Sequence, residues 1–185
     1  MPKLIIGLVG RQGSGKGTVS KILESNYGAK VFRFSAILGE VLDRVAVERS
    51  RANLIKISEV LRSAFGEDVL AYAIERDAAT ADSDIVVIDG VRRLDDIVAL
   101  EPMPQFILVE IVAPAETRYG RITKRTEKPG ESHITFEEFL NVENTAPTEI
   151  TIPDVEARAQ FKIDNSGTAD SLKTNVDEMM AKLHK

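Results

Sequence analysis

Residues 1–18 contain the feature that most constrains this chain, a buried strand that runs directly into a glycine-rich loop. Residues 4–9 are apolar apart from one glycine, as expected of a strand that is buried on both faces of a parallel sheet. Gly10, Gly15 and Lys16 follow with the spacing G-x-x-x-x-G-K, which is typical of a loop that binds phosphate. A helix is predicted to begin here, so its positive dipole end would point at the phosphates.

Each part of this loop has a predicted task in holding a nucleotide. Glycines let backbone N–H groups face a phosphate, and Lys16 is placed to reach the outer phosphates. Gly17 stands where many such loops have the hydroxyl that binds magnesium, so Thr18, which follows, is a candidate metal ligand. The alternatives are a plain glycine turn and a dinucleotide fingerprint; the third glycine comes one residue too early for the fingerprint, which also leaves Lys16 unexplained. The predicted nucleotide-binding residues of the loop are Gln12, Gly13, Ser14, Gly15, Lys16, Gly17 and Thr18.

Composition limits the classes of protein to which the chain can belong. Its 185 residues suffice for one domain with a substantial core, and a hydrophobic share of 43% is ordinary for a globular protein. The formal net charge of −5 argues against broad nucleic-acid binding, and the absence of cysteine excludes disulfides and thiolate metal sites. No apolar run approaches membrane length, and the early first strand leaves no room for a signal peptide. We therefore expect a cytoplasmic protein, monomeric or homodimeric, without nucleic-acid or membrane partners.

Apolar runs alternate with helical patterns along the chain, which predicts an α/β fold with a parallel sheet and right-handed crossovers. Ser35 and Asn53 are the predicted N-caps of the second and third helices, and Thr135 with Glu138 predicts a capping box before a later helix. A Met and Leu stripe on the last helix is predicted to be core. The five predicted strands cover residues 4–9, 31–34, 85–88, 106–112 and 160–164.

An acidic residue at the end of the third predicted strand is a candidate for a magnesium site. Asp89 closes an apolar run, where proteins with this loop carry the acid that holds magnesium directly or through water. A structural aspartate that caps the next helix is the alternative. Asp89-Gly90-Val91-Arg92 resembles a shortened form of the D-G-x-P-R element of adenylate kinases, whose arginine grips the transferred phosphoryl group. The resemblance implies a catalytic role for Arg92, although Arg93 could serve instead, and either could be a solvated arginine.

Three arginines, Arg118, Arg121 and Arg125, recur at helical spacing after the fourth strand. A solvated helix face is one explanation, but only one acid, Glu116, lies nearby on the same helix to balance them. The arrangement resembles the arginine-bearing lid of nucleoside monophosphate kinases, in which a pair of arginines flanks the adenine and the phosphates. The resemblance implies catalytic roles for Arg121 and Arg125, a nucleotide contact for Arg121, and a small closing lid at about residues 118–146.

A stretch around Arg62 resembles the acceptor-binding region of related kinases. Leu61-Arg62 and the following Phe65-Gly66-Glu67-Asp68 are similar to their L-R-x-x-x-G-x-D pattern. The resemblance places an acceptor-binding helical region at about residues 35–80. The substrate-binding residues that it implies are Ser35, Arg62 and Arg92.

The stretch before the last helix resembles a turn of dephospho-CoA kinases. Residues 163–168 match the pattern I-x-N-x-G-[ST], and in those kinases the backbone of this turn borders the adenine. The resemblance implies that Asn165 and Gly167 contact the nucleotide. An ordinary turn from strand to helix is the alternative.

Together these motifs identify the chain as a member of the P-loop kinase superfamily, resembling adenylate-kinase-like nucleoside monophosphate kinases and dephospho-CoA kinases. The resemblance implies a single P-loop kinase domain over residues 1–185. Its expected architecture is the P-loop nucleoside triphosphate hydrolase fold, a three-layer α/β/α sandwich with a five-stranded parallel sheet and a small lid. ATP and Mg²⁺ are the implied cofactors, with the preference for ATP over GTP left open.

Two departures from these families bear on the phosphoryl acceptor. Glu40 stands where adenylate kinases usually carry the arginine that holds the monophosphate, and Phe34-Ser35 replaces the aspartate that dephospho-CoA kinases have after the second strand. A phosphorylated acceptor is already ionised and needs orientation, whereas a hydroxyl acceptor benefits from a general base. We therefore expect ATP-dependent phosphoryl transfer to a nucleotide-like small molecule, with nucleoside monophosphate kinase activity favoured. A dephospho-CoA kinase, and a nucleotide-binding switch or NTPase that regulates a partner, are the alternatives.

Overall fold

A five-stranded parallel sheet forms the centre of the fold. The computed structural model describes residues 1–124 and 134–183. The strands are β1 (Leu4–Val9), β2 (Lys30–Arg33), β3 (Ile85–Asp89), β4 (Phe106–Val112) and β5 (Phe161–Asp164). Their order is β2-β3-β1-β4-β5 and each neighbouring pair is parallel, so the strand that precedes the glycine loop lies in the middle.

Helices cover both faces of this sheet. A short 3₁₀ turn, Leu94–Asp96, follows β3. The α-helices of the described residues are α1 (Lys16–Tyr27), α2 (Phe34–Arg44), α3 (Arg51–Phe65), α4 (Val69–Ala79), α5 (Ala115–Thr123), α6 (Phe136–Thr145), α7 (Ile152–Glu156) and α8 (Ala169–Leu183). The result is the three-layer α/β/α architecture that the sequence predicted.

Side chains of β1 alternate between two hydrophobic cores, one on each face of the sheet. Ile6 and Leu8 pack in the core that α1 and α8 cover, whereas Ile5 and Val9 pack in the core formed with α2, α4 and α7. All six residues of β1 are buried. This rigid central strand fixes the position of the glycine loop at the carboxyl edge of the sheet, where open α/β sheets bind their ligands.

Some helix starts agree with the sequence prediction and others differ. The capping box is confirmed, since the hydroxyl of Thr135 accepts from the backbone N–H of Glu138 and the Glu138 carboxylate accepts from that of Thr135.

The predicted core stripe of α8 is also confirmed, because Leu172, Val176 and Met180 are buried. None of the helices that the structure describes combines the length and apolarity needed to span a bilayer.

Two predicted N-caps are wrong. α2 begins at Phe34, one residue before the predicted cap Ser35, because the Phe34 side chain is buried in the core and belongs to the helix. The cap of α3 is Ser50, whose hydroxyl accepts from the backbone N–H of Asn53 at 3.2 Å. The Asn53 side chain instead donates to the carbonyl oxygen of Glu48 at 2.9 Å, so it stabilises the turn before the helix.

Candidate active site

The glycine loop, residues 10–16, connects β1 to α1. Gly13 and Gly15 have φ angles of +79° and +104°, in the region that L side chains rarely adopt. Their surroundings are also closed, since a Cβ on Gly13 would lie 2.7 Å from the carbonyl oxygen of Arg118 and one on Gly15 would collide with the side-chain amide of Asn165. The loop is therefore held between α5 and the turn after β5, and it leads into the N-terminus of α1, a favourable place for an anion.

The middle of the loop carries a buried polar group, the hydroxyl of Ser14. The hydroxyl oxygen of Ser14 is buried and has no hydrogen-bond partner among the described residues. A buried hydroxyl without a partner is costly. The orphaned hydroxyl in a loop of this shape fits a site for a nucleotide's phosphates.

We expect Gly15→Ala to destabilise the protein by roughly 1–3 kcal/mol, because alanine is strained at positive φ and its methyl group would displace Asn165. The side-chain amide of Asn165 donates to the carbonyl oxygen of Ser14 at 2.7 Å, a contact that would be lost. Gly17→Ala is the matched control, since nothing lies within 4 Å of a Cβ there and its φ is ordinary. Thermal unfolding of both variants measures the difference, and equal melting temperatures would contradict the tight fit.

Lys16 begins α1 with its ammonium group folded against the loop. Its Nζ donates to the carbonyl oxygens of Gly10 and Arg11, the latter at 3.2 Å. Burial, followed by the positive charge of Arg92, lowers the pKa of Lys16 to about 8, and the charge of Asp89 partly opposes this shift. The glutamates Glu149 and Glu156 oppose it as well. A bound phosphate group would favour the charged ammonium and raise this pKa.

This lowered pKa predicts that ATP binding weakens as the pH rises through about 8. Free Lys16 loses its proton above that pH, so polyphosphate binding must then take up a proton, and Kd should rise by up to about tenfold per pH unit. Calorimetric titration from pH 7 to about 9.5 in two buffers of different ionisation enthalpy measures both Kd and proton uptake. Lys16→Ala should bind ATP more weakly, with a Kd that does not change over this pH range. A Kd that does not change with pH in the unmodified protein would contradict the assignment of Lys16 as the titrating phosphate ligand.

Asp89 ends β3 beside the glycine loop, since it pairs in register with Leu8 of β1. Its Oδ2 accepts from Nε of Arg33 at 3.3 Å, and Thr18 is exposed in the first turn of α1. Magnesium commonly takes one carboxylate together with waters and phosphate oxygens, which this donor set fits. Within the two described ranges, no cluster of three or more His, Cys, Asp or Glu could hold a metal, so the ion would need the nucleotide's phosphates as ligands.

Arg92 and Arg93 contact different carboxylates, and they differ in their effect on Lys16. Its charge is the second largest cause of the lowered pKa of Lys16. Nη1 of Arg92 donates to the carboxylate of Glu149, whereas Nη1 of Arg93 pairs with Oε2 of Glu67 at 3.3 Å. Of the two arginines that the sequence left open, Arg92 is the one whose charge reaches the loop lysine.

Arg118 is not part of a solvated three-arginine face, and the acid that balances it lies on another helix. Arg118 is buried and pairs with Glu143 of α6 through two contacts, of which Nη2 to Oε2 measures 3.0 Å. It also donates to the carbonyl oxygens of Ala113 and Gln12, at 3.0 and 3.3 Å. Arg118 thus fastens α5 and α6 to the glycine loop. Sequence reasoning missed Glu143, because it lies 25 residues away with no periodic spacing to connect the two.

Arg121 lies between the glycine loop and the turn after β5. Its Nη2 donates to the carbonyl oxygen of Asn165 at 2.8 Å, and its Nη1 lies 3.4 Å from two carbonyl oxygens of the loop. The residues predicted to contact the nucleotide from α5 and from the last turn are therefore neighbours. Arg125 and the centre of the predicted lid, residues 125–133, lie outside the described residues, so the lid stays a prediction.

An open cleft of about 410 Å³ lies beside these residues. It joins the glycine loop, the end of α5 and the turn before α8. A cleft of this volume is in the range of small-molecule sites. Its lining residues are Gly15, Thr18, Arg121, Lys124, Asn165, Gly167, Ala169 and Leu172.

Arg62 is engaged within the protein, which favours a structural role over the predicted substrate contact. Its Nη2 pairs with Oδ1 of Asp96 at 2.5 Å, and both side chains are buried. Asp96 also accepts from the backbone N–H groups of Arg92 and Arg93, at 2.9 and 3.0 Å. Arg62 therefore stabilises the segment that carries Arg92. Ser35 is exposed in the first turn of α2, and its substrate contact stays a prediction.

Comparison with known families matches residues 9–139, more than half of the chain, to a family described as AAA domain. The chain belongs to this AAA domain family. A "UPF0200 protein" of Hyperthermus butylicus is 30% identical over 181 residues, which cover 98% of this chain and 95% of that protein.

Solved structures show where the fold of this AAA domain recurs. The crystal structure of TT1252 from Thermus thermophilus has a TM-score of 0.68 at 19% identity, covering 99% of both chains. Shikimate kinase from Bacteroides thetaiotaomicron has a TM-score of 0.61 at 14% identity, covering 98% of this chain and 99% of that one. At such identities these structures show the fold alone. The predicted resemblance to P-loop kinases is therefore confirmed at the level of the fold, and the family match assigns the chain to the AAA domain family.

Proposed function

We propose that this AAA domain is an ATP-dependent kinase that transfers a phosphoryl group to a nucleotide-like small molecule, with nucleoside monophosphates as the favoured acceptors. The observation that carries the proposal is the glycine loop with its buried, unpartnered Ser14 hydroxyl, near which the charge of Arg92 contributes to the lowered pKa of Lys16. A migrating phosphoryl group spreads negative charge over its oxygens, and catalysis consists largely of positioning and neutralising that charge. A second cation beside the loop lysine serves this purpose.

The donor would be held by the loop, by Lys16 and by the cleft beside Arg121. Loop N–H groups and the α1 N-terminus would bind the phosphates, and the nucleoside would occupy the 410 Å³ cleft against the Asn165 turn. Asp89 and Thr18 would hold magnesium together with phosphate oxygens. That ion would supply further neutralisation of the phosphates when bound. Arg121, with Arg125 on the predicted lid, would add positive charge on the opposite side of the transferred group.

The end of β2 offers no general base to a hydroxyl acceptor. Phe34 is buried in the core, Ser35 carries no carboxylate, and Asp89, which pairs in register with Arg33, already accepts from that arginine at 3.3 Å. An acceptor phosphate is ionised near neutral pH, so it can attack without losing a proton to the protein. Among the described residues no carboxylate follows β2 before the exposed Glu40 of α2, one helical turn later, and this supports a phosphorylated acceptor.

A coupled assay of ADP release, run with purified protein, ATP and Mg²⁺, tests the proposal. The acceptors to compare are the common nucleoside monophosphates, dephospho-CoA, and shikimate as a hydroxyl acceptor without a phosphate. We expect turnover that depends on a nucleoside monophosphate, with the phosphorylated product identified by mass spectrometry. Equal ADP release with and without every acceptor would overturn the proposal in favour of an NTPase or switch. Selective turnover of dephospho-CoA would show that the protein is a kinase, but that its acceptor is dephospho-CoA and not a nucleoside monophosphate.

A further inference from the structure

Glu149, in the connection between α6 and α7, has an unusual environment for a carboxylate. Its side chain is only 1% exposed, and one oxygen, Oε1, accepts from Nη1 of Arg92. The other oxygen, Oε2, is buried and has no hydrogen-bond partner within the described ranges. Burying a charged carboxylate with half of its acceptors unused is unfavourable. Such a residue is expected where its one partner has to be held in a defined place.

Arg92 is fixed from several directions at once. Its backbone N–H donates to Asp96 at 2.9 Å, and its carbonyl oxygen accepts from the hydroxyl of Thr151 at 2.8 Å. Its guanidinium is held at Nη1, by Glu149 and by the carbonyl oxygen of Thr148 at 3.2 Å. These contacts determine both where the backbone of Arg92 lies and which edge of its guanidinium faces the protein.

The opposite edge of the Arg92 guanidinium has donors to spare. Among the described residues only Nη1 of Arg92 meets a protein acceptor, and its side chain is 38% exposed. Nη2 and Nε together can form the forked pair of hydrogen bonds that suits a phosphoryl group. Arg92 follows β3, whose last residue Asp89 pairs in register with Leu8 beside the glycine loop, and its charge contributes to the lowered pKa of Lys16.

We propose that Glu149 is a positioning residue that anchors one edge of Arg92, so that the other edge is presented to the phosphoryl group in transfer. The proposal rests on the proposed function and deepens it. Glu149 itself does not touch substrate and acts through Arg92.

Kinetics of Glu149→Gln, Arg92→Ala and the double variant test this role. Glu149→Gln keeps the size of the side chain and one acceptor but removes the charge. We expect it to lower kcat about 10- to 100-fold, as a misplacement of about 1 Å can, while the KM for ATP changes less than about twofold. In the Arg92→Ala background the same substitution should cause no further loss of kcat, since its partner is gone. Independent losses that multiply in the double variant would overturn the proposal.

Two further measurements test the positioning role of Glu149 without requiring turnover. Nitrogen NMR of the Arg92 Nε–H group should show a restrained guanidinium in the unmodified protein and a freely exchanging one in Glu149→Gln. Glu149→Gln should lower the melting temperature of the unmodified protein but raise that of Arg92→Ala, because it removes a buried charge that has lost its partner. If no acceptor supports turnover, the proposed function fails, while these two measurements still decide the positioning. An equally restrained Arg92 in Glu149→Gln would overturn it.

Discussion

Replacing Lys16 by alanine is expected to slow phosphoryl transfer by at least about a hundredfold, equivalent to about 3 kcal/mol or more in the barrier. Lys16 is the loop residue whose charge can follow the phosphoryl group into the transition state. Its ammonium already lies against the carbonyl oxygens of the loop, so a phosphate in the loop replaces these contacts with little rearrangement.

The measurement is single-turnover transfer with saturating ATP and the best acceptor from the ADP-release assay. Lys21→Ala is a matched control, because Lys21 lies on the same helix and is exposed. It should retain the unmodified rate. Near-normal turnover in Lys16→Ala with any acceptor would contradict the catalytic assignment, even if nucleotide binding were weakened.

Arg118→Ala should lower the free energy of unfolding by about 3–5 kcal/mol, because it leaves the carboxylate of Glu143 buried without its main partner. The side chains of the pair are 7% and 4% exposed, so water cannot replace the lost contacts. Arg118 also covers the ring of Phe139, with its guanidinium carbon 5.4 Å from the ring centroid. Its loss would therefore remove packing between α5 and α6 as well as charge.

Urea denaturation of three variants separates the causes of that loss. Lys3→Ala breaks an exposed ion pair with Asp84, whose side chains are 79% and 69% exposed, and should cost less than about 1 kcal/mol. The double variant Arg118→Met with Glu143→Leu should recover most of the stability, since no buried charge is left unpaired. Similar losses in Arg118→Ala and Lys3→Ala would show that the buried pair contributes no more than a surface pair.

The features that sequence predicted well depend on neighbouring residues. The apolar run of β4 fixes the bounds Phe106–Val112, and the capping box at Thr135 needs only Glu138 three residues later. The spacing of Gly10, Gly15 and Lys16 likewise lies within one short segment. Local periodicity and turn chemistry are sufficient for such features.

The features that sequence did not predict depend on residues far apart in the chain. Arg62 and Asp96 are separated by 34 positions, and Arg92 and Glu149 by 57. An arginine on a helix has the same sequence pattern whether solvent or a distant carboxylate surrounds it, and only the fold decides between them. For this reason the spacing of Arg118 predicts a solvated or lid-forming face, although Arg118 is a buried structural residue.

The contact between Asn165 and Ser14 joins positions that are 151 residues apart, and Arg121 reaches the same loop across 108 residues. During synthesis the glycine loop leaves the ribosome before the strand and turn that close it. Contacts of such long sequence separation form late in folding, because the intervening chain must first be ordered. We therefore expect the loop to reach its closed shape only after β5 and the turn with Asn165 have been made. A nascent chain that ends before residue 161 carries the whole loop sequence without the shape that makes it a binding site.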